Sequence, residues 1–193
     1  MNLPMTVLAG LLLSTPPATP ASPPAPTKPA PAQAPASAPA DAWAAWAPLL
    51  GRWVADAKTQ PDGGSGAFSL ERDVQGHVLV RENHAEYPAA QGRPALVHDD
   101  LMVIYPEGKK TRADYWDNEG HVIHYEVSFP EPSKVVFLSD AAPGAPRFRL
   151  TYAWTGATPA EVALTFEIAP PNAPDTFKPY ITSKVRRDGP APK

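Results

Sequence analysis

Cysteine is missing from all 193 residues. With no thiolate there is no disulfide framework, no zinc ribbon, no iron–sulfur cluster, no catalytic cysteine and no lipid-modified N-terminal cysteine. A basic excess is missing too, since 20 acidic side chains stand against 17 basic ones for a formal net charge of −3. A nucleic-acid binder carries a basic stripe, so no nucleic-acid partner is expected. Long apolar runs are also lacking. The stretch from Val7 to Leu13 has the length of a secretory h-region and falls well short of the roughly 20 apolar residues that span a bilayer. Asp62-Gly63-Gly64-Ser65-Gly66 has the glycines of a phosphate loop but no following helix to cradle an anion, so it reads as a hairpin. No Gly-x-Ser-x-Gly elbow surrounds any serine of the chain, which leaves nucleophilic serine catalysis without a scaffold.

Proline, by contrast, is abundant, at 27 residues, and unevenly spread. The first forty residues hold 11 Pro, 10 Ala and a single charged side chain, Lys28. Residues 1–21 read as a signal peptide. Their n-region carries only the α-amino charge, with Pro4 where a basic residue is usual. Thr19-Pro20-Ala21 before Ser22 fits a small-residue cleavage site, and Ala36-Ser37-Ala38 is a weaker one because Pro39 follows. Residues 22–40 form a Pro/Ala-rich linker whose composition cannot pack a core and favours solvated polyproline II, extending about 3.1 Å per residue. A periplasmic or secreted protein is expected, with membrane contact only through an uncleaved leader.

The remaining 153 residues carry 16 basic and 20 acidic side chains, net −4, and make one domain's worth of chain. Asp41 is placed to cap a short N-terminal helix in which Trp43, Trp46, Leu49 and Leu50 recur at helical spacing and which Gly51 ends. Strand patterns follow at Arg52 to Lys58, Ala67 to Val74, His77 to Tyr87, Leu96 to Tyr105 and Thr111 to Asp117. They continue at His121 to Phe129, Lys134 to Ser139, Arg147 to Trp154, Glu161 to Ile168 and Tyr180 to Arg187. Short Gly-, Pro- and Asp-bearing gaps separate nearly all of them. About ten short-linked antiparallel strands cannot stay open as one flat sheet. The expected fold is therefore all-β, a single antiparallel meander closed into a barrel over residues 41–188, with 189–193 as a disordered tail.

Leu49-Leu50-Gly51-Arg52-Trp53, a short helix running into Gly-x-Trp on the first strand, resembles the opening of the calycin superfamily of lipocalins, fatty-acid-binding-like and nitrobindin-like barrels. In that superfamily an arginine of the last strand packs across the first-strand tryptophan. The resemblance therefore implies that Arg186 or Arg187 closes the barrel against Trp53, where a guanidinium laid on an indole ring also seals the end. Over residues 46–187 the chain resembles a bacterial, exported lipocalin-like family. The shared features are Leu50-Gly51-x-Trp53, Tyr115-x-Asp117-Asn118-x-Gly120-His121 and Pro146-Arg147-Phe148-Arg149.

Histidines at 77, 84, 98, 121 and 124 raise the question of metal or haem. His121 and His124 are an odd number of residues apart, so a strand sends their rings to opposite faces. The terminal strand lacks the late-strand histidine of nitrobindin-like haem barrels. No metal and no cofactor is expected. Pairing the strands about their turns, with a three-residue Glu107-Gly108-Lys109 loop, sets Asp99 opposite Asp117 and Leu101 opposite Tyr115. On that register Asp99, Asp117 and His121 converge at one barrel mouth, able to hold a polar head or to move a proton. A slip of one residue would undo that convergence. Tyr115, Ile123, Tyr125, Phe148, Tyr152 and Phe166 then face inward with Trp154 and suit a mostly apolar ligand held at a few polar points. The function expected first is binding of a small, mostly apolar molecule without catalysis. Two alternatives stand beside it: a periplasmic enzyme using the His/Asp mouth cluster, and a barrel filled by its own side chains that acts through its outer surface or its linker.

Overall fold

A computed structural model of the chain describes residues 41–56, 58–60, 63–90 and 92–189. The expected signal peptide, linker and the last four residues of the tail lie outside these. The ten strands are β1 (Gly51–Ala55), β2 (Ser65–Asp73), β3 (Val78–Tyr87), β4 (Leu96–Glu107), β5 (Lys110–Asp117), β6 (Val122–Glu131), β7 (Lys134–Ser139), β8 (Arg147–Trp154), β9 (Glu161–Ala169) and β10 (Lys178–Asp188). Each pairs antiparallel with the next, and β1 pairs with β10 as well as β2, so the meander closes on itself. Closure leaves no sheet edge exposed.

The expected N-terminal helix is instead a 3-10 helix, Ala44–Leu49. Its residues explain the difference. Pro48 lies inside it and withholds an N–H from the α-helical ladder. Trp46 and Leu49 sit three residues apart, the 3-10 period, and so share one buried side. Asp41 does not cap it: the N-cap is Trp43, with no side-chain cap, and Asp41 two residues earlier accepts a hydrogen bond from the Trp43 amide at 3.0 Å. Gly51, at a φ of 105°, then turns the chain into β1 through a conformation that side-chain-bearing residues rarely adopt.

This segment plugs one end of the barrel. Trp43 donates its indole N–H to the Gly76 carbonyl at 2.7 Å, and Trp46 packs edge-on against Phe129 and Phe137. Trp53 is fully buried, donates to the Leu49 carbonyl at 2.8 Å, and stacks near Phe68. Of the two candidate closing residues it is Arg187 whose guanidinium lies over Trp53, 4.3 Å from the ring. Arg187 also donates to the carbonyls of Pro48, Leu50 and Pro159. Arg186 alternates outward and is exposed, as the period of two demands. Phe137, Tyr152, Tyr125, Leu79, Met102, Ile104 and Val135 complete a tightly packed lower core.

One register differs from expectation and changes which residues face inward. Glu107 pairs with Lys110, so the β4–β5 turn has two residues, Gly108 and Lys109. Gly108 takes a φ of 62°, as the first position of a II′ hairpin turn does. The shorter turn sets Asp100 opposite Asp117 and Met102 opposite Tyr115. Along β4 it is thus Asp100, Met102 and Ile104 that face in, while Asp99, Leu101 and Val103 face out.

Candidate functional site

The end opposite the plug is open. Between its strands lies a cavity of about 600 Å³, within the size range of small-molecule sites. A barrel filled throughout by its own side chains is therefore realised only in the lower half. The open half has two unlike walls. On β8, β9 and β10 the lining is apolar, with Phe148, Leu150, Leu164, Phe166, Ile168 and Ile181. Phe148 and Phe166 stack nearly parallel with centroids 5.9 Å apart, and Tyr180 meets Phe166 edge-on near the rim. On β3, β4 and β5 the lining is polar, with Arg81, Asn83, His98, Asp100, Tyr115 and Asp117.

The polar wall is one connected network. At its floor Arg81 and Asp100 form a buried ion pair, their side chains 8% and 4% exposed. Asn83 donates its amide to the other Asp100 oxygen at 3.0 Å. Burial opposes the Arg81 charge, and Asp100 beside it more than restores it, so its pKa is raised. Higher up, His98 sets Nε2 3.4 Å from Asp100 and 3.1 Å from the Tyr115 hydroxyl, and Nδ1 3.1 Å from Glu119. Carboxylates on both sides of one ring call for a donor at each nitrogen, which only the imidazolium supplies. Accordingly the hydrogen bond to Asp100, with that to Glu119, pushes the His98 pKa up to about 9 against the cost of burial.

Tyr115 passes its own proton on toward Asp117 at 3.1 Å, and burial together with the Asp100 and Asp117 charges raises the phenol's pKa. Asp117 fills all its acceptor positions. One oxygen takes the amides of Glu119 and His121 at 3.0 and 2.9 Å, the other the Tyr115 hydroxyl and His121 Nδ1 at 3.1 and 2.8 Å. Burial would raise its pKa, but the bonds from His121 and Tyr115 outweigh that and lower it. The β5–β6 turn is fastened to β4 as well, since Asn118 exchanges hydrogen bonds with the backbone of Asp99 and Val97.

The residues singled out from sequence now fall into three groups. Tyr115, Ile123, Tyr125, Phe148, Phe166, Asp117 and His121 line the cavity. Tyr152 does not: it lies 3% exposed in the packed half, between Phe68 and Phe137. Asp99 is on the outer surface, about half exposed and paired with His84 at 2.6 Å, because the two-residue turn shifts β4 by one. The three-member mouth cluster of Asp99, Asp117 and His121 is thus a two-member one, Asp117 with His121.

Sequence reasoning missed Arg81, Asn83, His98 and Asp100. Their signal lay in β3, where Leu79, Arg81, Asn83, Ala85 and Tyr87 alternate with Val80, Glu82, His84 and Glu86. The second set carries three of the strand's charged or imidazole side chains and fits a wet face, which leaves Arg81 facing in. Among the described residues no group of three or more His, Asp or Glu is arranged to hold a metal ion. The sequence matches no protein-family model and no curated protein.

Proposed function

We propose that this protein is an exported, lipocalin-like barrel that binds a small, mostly apolar molecule in the cell envelope and carries out no chemistry on it. The observation that carries this reading is the open cavity of about 600 Å³ set between a phenylalanine-rich wall and a hydrogen-bonded polar wall. Such a division suits a ligand with an apolar body and a polar edge. Placement among the calycin barrels is supported by the 3-10 plug leading into Gly51-x-Trp53 and by the Arg187–Trp53 contact. Export rests on the Val7 to Leu13 run and the Thr19-Pro20-Ala21 site. The partner is then a small molecule met outside the cytoplasm, and a membrane is touched only by a retained leader.

The test is titration with Nile red, a neutral dye whose emission shifts to the blue in apolar surroundings. Saturable binding at about one dye per chain, abolished by Ala85→Trp, is the expected result, because Ala85 lines the cavity and an indole there takes the ligand's space. Absence of saturable binding, or binding that Ala85→Trp leaves untouched, would remove the reading.

A further inference from the structure

The charges of the cavity are matched to one another, and this bears on what the cavity holds. Resting on the binding function above, we propose that the ligand is uncharged and presents a hydrogen-bond acceptor, such as a ketone or ester carbonyl, to the Arg81–Asn83–Asp100 floor.

Two arguments carry this. The first concerns charge. Asp100 sits at the floor, Asp117 stands at the end of the polar wall, and Glu119 lies at the mouth. An anionic head would have to pass two carboxylates and come to rest beside a third, in a setting where water screens little. A cationic head would instead meet Arg81 and a His98 already held by Asp100 and Glu119. Either ion would also have to leave water for groups already engaged, since Arg81 and Asp100 hold each other and the acceptor positions of Asp117 are filled by Tyr115, His121 and two amides. Arg93 at the rim covers the Tyr87 ring.

The second concerns donors. A guanidinium has five N–H groups and a carboxamide two, whereas the floor supplies one carboxylate beside the Tyr152 hydroxyl to receive them, and Arg81 Nε is left without a partner among the described residues. Asp100 takes Arg81 Nη1 on one oxygen and Asn83 Nδ2 on the other. The floor therefore has donors in surplus, and a neutral acceptor satisfies them without adding charge. Opposite, Phe148 and Phe166 offer parallel rings for the apolar body.

Competition against a bound neutral reporter, 6-propionyl-2-dimethylaminonaphthalene, separates the head groups on one ring system. The competitors are 2-acetonaphthone, 2-naphthoate and 2-naphthylmethylammonium. The ketone is expected to displace the reporter at concentrations at least about tenfold below either ion. Asp100→Asn, which leaves the Arg81 charge unmatched, is expected to bring naphthoate into favour by about tenfold, with folding verified by circular dichroism. Naphthoate or the ammonium competing as well as the ketone on the wild-type protein would overturn the inference while leaving the binding function intact, and that comparison needs no variant. Failure of the reporter itself to bind would overturn the binding function, and this inference with it.

Discussion

The two halves of the barrel interior are built from the same strands and solve opposite problems. In the lower half, Trp53, Phe68, Phe137 and Tyr152 join Trp46 of the 3-10 plug in a chain of ring contacts, and the side chains themselves fill the barrel. In the upper half the same strands carry smaller or polar inward residues, such as Ala55, Gly66, Asn83, Ala85 and Ser183, and a cavity of about 600 Å³ remains. Stability is concentrated where the space is filled, and room for a ligand where it is not.

The sharpest way to break this contrast is to remove one phenyl ring from each half. Phe137 is 1% exposed and packed on the rings of Trp46, Tyr125 and Tyr152, so Phe137→Ala should cost about 3–5 kcal/mol in urea unfolding. Phe166→Ala should cost no more than about 2 kcal/mol, because that ring already borders open space, yet it should weaken dye binding strongly. Equal losses of stability would contradict the division.

A second pair of variants acts on the seal of the lower half. Arg187→Ala removes the guanidinium from the Trp53 ring and from three backbone carbonyls, with an expected loss of about 2–4 kcal/mol. Arg186→Ala, one residue away on the outer face, should stay within about 0.5 kcal/mol.

The smallest effect lies on the polar wall and depends on pH. Folding raises the His98 pKa from the ordinary 6.5 to about 9. The stabilisation this represents is complete below about pH 6.5 and is lost as the pH rises through about 9. With His98 partly exposed, a loss of about 1–2 kcal/mol between pH 6.5 and 9.5 is expected after allowance for solvent screening. His98→Gln should flatten that part of the urea-midpoint profile, and an unchanged slope would show that the network contributes nothing there.

How much of this was legible in the sequence depended on whether a period or a count was being read. The bounds expected for β7 and β8 match the observed ones to the residue, and those of β9 fall short only by Ala169. The Trp53–arginine closure was expected from resemblance, but only the outward or inward phase of β10 could choose Arg187 over Arg186. The site fared less well for one local reason. Counting three residues rather than two in the Gly108 turn inverts β4, exposes Asp100 to solvent on paper and hides the Arg81 pair that Asp100 makes. Tyr152 was assigned correctly to the interior but not to its height, which strand tilt and barrel shear determine and periodicity does not contain.

The same substitution placed once in each half tests the division most directly. Ala113, fully buried in the lower core, and Ala85, on the cavity wall, are each replaced by Trp and the proteins are unfolded in urea. Ala85→Trp should stay within about 1 kcal/mol of the wild type because its indole enters open space, whereas Ala113→Trp should lose about 3 kcal/mol or more through overpacking. Comparable losses at both positions would mean that the upper half is as full as the lower, and the binding cavity would have no place in this barrel.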